Sequence, residues 1–312
     1  MLKQQSYRSI RSAALAALFF SGIATAQAAE DAAKPTVVLV HGAFADSSGW
    51  NDVIARLEKD GYPVIAAANP LRSVASDAES VAAVVRSIPG GVILVGHSYG
   101  GVVITEAAKG NANVKALVYV AGFLPDTGES ALTLSAKFPG STLGDALSPV
   151  RLPDGGTDLY IQPAKFHGQF AADLPAAQAT LMAATQRPVT QAALTDASQA
   201  ATWKSLPTYV IYGAEDRNIP AATMKFMADR AHARKTVGVA NGSHALMVSH
   251  PVEVAELIEN AATDRPLGQR NEPPRQASNR RPSANADGRL RSLRPRGICD
   301  PAGGLDAGAG GT

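Results

Sequence analysis

The chain has 312 residues, 46% of them hydrophobic and only 5% aromatic, so Ala, Val, Leu and Ile must build the core of one sizeable domain. Its formal charge of +2 is unevenly placed: Lys3, Arg8 and Arg11 open the chain, nine Arg against four acids follow Asp264, and the body between is net acidic. An acidic body with no basic stripe leaves no footprint for nucleic acid, and the single cysteine, Cys299, excludes an intrachain disulfide.

Residues 1–28 read as a cleavable signal peptide. Three basic residues precede a short apolar run from Ala13 to Ala24, and Ala26-Gln27-Ala28 supplies the small-x-small cleavage pattern. That run falls short of the about 20 apolar residues a membrane span needs, and no later stretch reaches it. A periplasmic or secreted location follows as an expectation, with no stable membrane insertion. At the other end, residues 264–312 are rich in Arg, Pro, Gly and Ser without apolar periodicity, the composition of a disordered basic tail.

Between the ends, over residues 34–263, strand-like and helix-like segments alternate, the pattern of an α/β domain with a mostly parallel sheet of about six strands. Thr36 to His41 is an almost purely apolar run, as a strand buried on both faces requires. A helical pattern spans Asp46 to Lys59, a second strand Pro63 to Ala67, and a helix Ser76 to Ser87. Gly91 to Val95 is the third strand, Val102 to Lys109 its following helix, and Lys115 to Val120 the fourth strand. The rhythm then breaks over about residues 123–205, where Pro and Gly interruptions alternate with helix-like patches such as Pro175 to Thr185. A stretch this long between core strands reads as an inserted cap. Strands at Thr208 to Gly213 and Lys235 to Val239, with helices near Ala221 to Ala231 and Pro251 to Ala262, resume the alternation.

Gly96-His97-Ser98-Tyr99-Gly100 fits G-x-S-x-G, a weak signal alone that gains meaning from a buried strand ending before it and a helix starting after it. Such a nucleophile elbow holds Ser98 in a strained backbone conformation, and the glycines two residues away, Gly96 and Gly100, leave room for the turn. A serine hydroxyl needs a base during attack. Among six histidines, His244 stands in a loop after the last strand and before the last helix, which completes the chain order serine, acid, histidine. His41 and His97 lie at strand ends, where their rings are expected to shape the pocket. Asp216, just past the penultimate strand, is the expected acid, with Asp126 after the fourth strand as the alternative. The backbone N–H groups of Ala43 and Tyr99 are the expected oxyanion donors, with Phe44 the alternative to Ala43. No cluster of His, Cys and carboxylates has metal-ligand spacing, so no metal and no organic cofactor are expected.

These motifs, with Phe123-Leu124-Pro125-Asp126, together resemble the compact α/β-hydrolases that include plant methylesterases and hydroxynitrile lyases, over roughly Lys34 to Ala262. The resemblance implies an α/β-hydrolase fold with a cap inserted after Val120. It also implies Ser98, Asp216 and His244 as a triad that hydrolyses a small-molecule ester or lactone. The cyanohydrin-cleaving members carry a lysine directly after the histidine; here Ala245 stands there, and His41-Gly42-Ala43 has the esterase form, which disfavours a lyase. Ser98 at the elbow also disfavours the epoxide hydrolases and dehalogenases of this fold, which use an aspartate. A non-catalytic ligand binder and a lyase or perhydrolase on the same fold are the other readings. Six apolar residues of the inserted segment (Leu124, Phe138, Phe166, Phe170, Leu181 and Met182) are candidates for the pocket wall or for the cap's own core. Oligomeric state is not legible from these residues.

Overall fold

The computed structural model describes residues 34–264; the expected signal peptide over 1–28 and, Asp264 apart, the expected basic tail lie outside the described residues. Six apolar runs assemble into one sheet: β1 (Thr36–Val40), β2 (Val64–Ala67), β3 (Val92–His97), β4 (Val114–Val120), β8 (Thr208–Gly213) and β9 (Lys235–Val239). All neighbours pair in parallel, in the order β2-β1-β3-β4-β8-β9. Val37 to Val40 and Val92 to Val95 are essentially inaccessible because helices cover both faces, the reason these strands read as continuous rather than alternating hydrophobics.

Helices α1 (Asn51–Lys59), α2 (Val74–Arg86), α3 (Gly100–Ala107), α9 (Ala221–Arg230) and α11 (Pro251–Thr263) follow the strands, with the short α10 (Leu246–Ser249) before α11. The pattern expected as one helix from Asp46 divides: a 3-10 turn over Ser47–Trp50, capped by the Asp46 carboxylate on the Ser48 N–H, precedes α1. Strand β3 runs two residues beyond its expected end, to His97, and α3 starts at Gly100 rather than Val102. Only Ser98 and Tyr99 therefore separate strand from helix. Among the described residues, no helix is long and apolar enough to cross a membrane.

Strands β4 and β8 are sheet neighbours, so everything between them leaves the sheet and returns. This segment holds α4 (Ala131–Ser135), α5 (Leu143–Ala146), α6 (Pro163–Phe170), α7 (Ala176–Thr185) and α8 (Gln191–Thr195). It also forms a second, antiparallel sheet of β5 (Leu147–Arg151), β6 (Thr157–Ile161) and β7 (Val189–Thr190), which the helix-like patches of the sequence did not announce. The strands are short, β5 is mostly exposed and contains Pro149, and β7 pairs with β6 from 30 residues away, so no local period marks them.

Candidate active site

The strand order reverses at β1, and the turns after β1 and β3 meet at the carboxyl edge of the sheet, where crevices form in open α/β sheets. Ser98 sits there with φ of 53°, a left-handed conformation that costs a side-chain-bearing residue on the order of 1–3 kcal/mol. The surroundings enforce it. Ser98 N–H lies 3.2 and 3.1 Å from the carbonyls of Val120 and Ala121, and its own carbonyl accepts from Gly101 and Phe123. A Cβ on Gly96 would stand 2.5 Å from the Gly100 carbonyl oxygen, and one on Gly100 2.5 Å from that of Val40, so any larger residue at either position would push the turn apart.

Gly42 belongs to the same construction from the β1 side, since a Cβ there would meet the Ser98 Cβ at 2.5 Å. The turn is held by His41, whose Nε2 accepts from Asn69 N–H at 3.1 Å while its carbonyl accepts from the Asn69 side chain at 2.9 Å. Burial lowers the pKa of His41, and acceptance at Nε2 puts its proton on Nδ1. Of the two candidate donors on this turn, Phe44 N–H is already spent on the Arg187 carbonyl at 3.0 Å. The N–H groups of Ala43 and Tyr99 have no acceptor among the described residues, and Tyr99 leads directly into the N-terminus of α3.

Asp216 and His244 meet at 2.7 Å between Oδ2 and Nδ1, both side chains almost completely buried. The second carboxylate oxygen accepts from Asn218 N–H at 2.7 Å and Ile219 N–H at 3.0 Å, which fixes the carboxylate plane. A carboxylate only accepts, so the bond assigns the His244 proton to Nδ1 and leaves a lone pair on Nε2. Nε2 has no hydrogen-bond partner among the described residues, the Ser98 hydroxyl included. Asp126 is engaged elsewhere, paired with Lys204 at 2.6 Å, a contact that lowers its pKa.

A cavity of about 390 Å³ opens onto Ser98, Ala43 and Tyr99. Its walls include Phe123, Ala131, Leu132, Phe138, Leu143, Leu147, Leu194 and Ile219, with Ser135, Ser141 and Asn218 as polar points and no charged side chain. A larger hollow of about 570 Å³ surrounds Asp126, Trp203 and Arg230 and includes neither Ser98 nor His244. Of the six apolar candidates of the inserted segment, only Phe138 lines the smaller cavity. Phe166 and Phe170 are fully buried packing residues, and Leu181 is exposed. The rings of His41 and His97 do not line it either. His97 instead lies against His244, with ring centroids 4.8 Å apart, and donates from Nε2 to the His244 carbonyl at 3.0 Å. Burial first, and then the neighbouring imidazole, pushes the pKa of His97 well below its ordinary value, so it is neutral near pH 7.

Among the described residues, no group of three His, Cys, Asp or Glu side chains is arranged to hold a metal ion. The arrangement brings together a buried Asp216–His244 pair, a serine in a strained turn and two unspent backbone donors beside an apolar cavity.

Comparison with known proteins agrees with this geometry at the level of fold. A carbendazim-hydrolysing esterase of Nocardioides sp. (strain SG-4G) is 34% identical over 113 residues, 32% of this chain and 47% of that protein, so the chain matches about half the relative's length. An α-hydroxynitrile lyase of Arabidopsis thaliana is 26% identical over 254 residues, 74% of this chain and 98% of the lyase. The crystal structure of polyneuridine aldehyde esterase superposes with a TM-score of 0.64 at 23% identity, covering 73% of this chain and 98% of that one. The model of the alpha/beta hydrolase family matches residues 37–257, and the chain belongs to that family.

Proposed function

We propose that the protein is a serine hydrolase that cleaves a carboxylic ester or lactone of a small, uncharged, hydrophobic substrate through an acyl-enzyme on Ser98. The observation that carries this reading is the buried Asp216–His244 pair, which leaves His244 Nε2 without a hydrogen-bond partner in the same fold region as a strained serine. In the mechanism, His244 Nε2 takes the Ser98 proton as Oγ attacks the carbonyl carbon. The carbonyl oxygen becomes an oxyanion between the N–H groups of Ala43 and Tyr99, donors worth about 2.7–4 kcal/mol each in comparable sites. His244 then protonates the departing alkoxide, and the alcohol leaves. Water, deprotonated by the same nitrogen, adds to the acyl-enzyme, and collapse returns the Ser98 hydroxyl and a carboxylic acid.

The cavity supports the substrate class: its lining offers no charged group to offset the desolvation of an ionised substrate. Esterase-like relatives point the same way, and the lyase among them gives the competing reading, cyanohydrin cleavage. Hydrolysis of p-nitrophenyl acetate, butyrate and octanoate by residues 29–312 and by its Ser98→Ala variant tests the proposal. We expect turnover by the wild type, a loss on the order of 10³-fold or more in the variant, and labelling of the wild type by a fluorophosphonate at Ser98. A folded wild type that neither turns over nor labels sinks the hydrolase, and release of cyanide from mandelonitrile under those conditions favours the lyase.

A further inference from the structure

The residue directly before His244 is gripped from outside the main sheet. Asp173 lies in the loop between α6 and α7. Its Oδ2 accepts from the Ser243 N–H at 3.0 Å, and its Oδ1 accepts a close hydrogen bond from the Ser243 hydroxyl. Ser243 is 3% exposed and the Asp173 side chain 13%, so the grip is largely shielded from water. Three residues earlier, Phe170 sets its ring edge-on to the His244 imidazole, centroids 5.0 Å apart, and its carbonyl lies 3.4 Å from the same Ser243 hydroxyl. The Asp173 carboxylate also faces His250, whose Nδ1 is 3.6 Å away and bonded to the Ser249 hydroxyl at 2.8 Å. Burial opposes ionisation of Asp173, but the hydrogen bonds from Ser243 outweigh it and hold its pKa below the ordinary value.

The geometry has a specific consequence. Beyond its one hydrogen bond at Nδ1, the His244 imidazole is held by packing against the His97 and Phe170 rings, and the backbone that carries the ring sets where that packing places Nε2. That backbone is pinned on the carbonyl side by His97, and on the N-terminal side by the two-point grip on Ser243.

We propose that Asp173 is a positioning residue for His244, acting through Ser243, so that the segment between β4 and β8 aims the base as well as walling the cavity. The proposal rests on the reading of Ser98 and His244 as nucleophile and base. Its test compares wild type, Asp173→Ala, Asp173→Asn, Ser243→Ala and the double alanine variant. The measurements are kcat and KM for p-nitrophenyl butyrate, the rate of fluorophosphonate modification of Ser98 by intact mass, and the thermal midpoint.

Each alanine variant is expected to lose about ten- to a hundredfold in kcat and in modification rate, the penalty of a slightly misaimed catalytic group. KM should move less than threefold. The double variant should be no slower than the slower single, because both act through one contact. Asp173→Asn should recover part of the rate, since its amide oxygen still accepts from one Ser243 donor. A labelled wild type whose variants keep its rate per labelled site, whatever their thermal midpoints, overturns the proposal alone. Losses that multiply in the double variant do the same. A folded wild type that never labels at Ser98 overturns the underlying hydrolase reading, and the proposal with it.

Discussion

The left-handed turn at Ser98 and the placing of Asp216 beside the His244 loop were legible because the constraints on each are local. A strained serine needs small neighbours two residues away, and an acid placed just past a strand can turn back to a histidine loop. The three-dimensional contacts separate the expected acid from its alternative: Asp216 gives one oxygen to His244 and the other to two backbone donors, whereas Asp126 pairs with Lys204. Asp216→Asn should therefore lower kcat by roughly 10³–10⁴-fold through the wrong tautomer, while Asp126→Asn stays within about twofold, as exposed ion pairs contribute little; esterase kinetics on both variants check it. His97 yields a pH prediction. Its folded pKa lies well below the ordinary value of 6.5, so at acid pH the unfolded chain binds a proton that the folded chain refuses. Stability is full above about pH 6.5 and falls as the pH drops below it. Thermal midpoints from pH 7.5 to 5.0 should fall less steeply in His97→Gln, whose amide can still donate to the His244 carbonyl. Equal slopes in the two proteins would count against a buried neutral imidazole.

At the scale of elements, apolar packing of residues such as Phe166 and Phe170 joins the inserted segment to the core, and long-range polar contacts add to it. Glu106, near the end of α3, accepts on one oxygen from the Ser198 hydroxyl and from the N–H groups of Gln199 and Ala200, at 2.5 to 2.7 Å. Arg72, just before α2, reaches Asp158 on β6 at 2.8 Å and the Pro188 carbonyl at 2.9 Å. Removing the Glu106 carboxylate strands several donors at once. Glu106→Ala should cost about 1.5–3 kcal/mol, the range for hydrogen bonds to a charged group, read as a lower denaturation midpoint with an unchanged slope. Neither anchor was visible in the sequence: Arg72 and Asp158 lie 86 residues apart, and each reads as an ordinary surface charge. The small sheet escaped for a different reason: β5 and β6 form a hairpin without period-2 patterning, and β7 joins β6 from a distant part of the chain.

At the scale of the whole molecule, the N-terminal pattern predicts export. Expressed with residues 1–28 in a Gram-negative host, the protein should collect in the periplasm, and intact mass should place the mature N-terminus at Ala29. Full-length material confined to the cytoplasm would refute this. The main sheet and the close-packed glycines around Ser98 came from the sequence itself, because buried parallel strands and tight turns constrain residue type within a few positions. Three features came only from the tertiary structure: which residues wall the cavity, which backbone N–H groups stay unspent, and which carboxylate grips the loop of His244. Leu181 and Phe166 are equally apolar in the sequence, yet one faces solvent and the other is sealed in the core. The Phe44 N–H is bonded to the Arg187 carbonyl, more than a hundred residues away, while the Ala43 N–H is not. Contacts between distant segments depend on how separate elements pack together, and no local period or spacing encodes that.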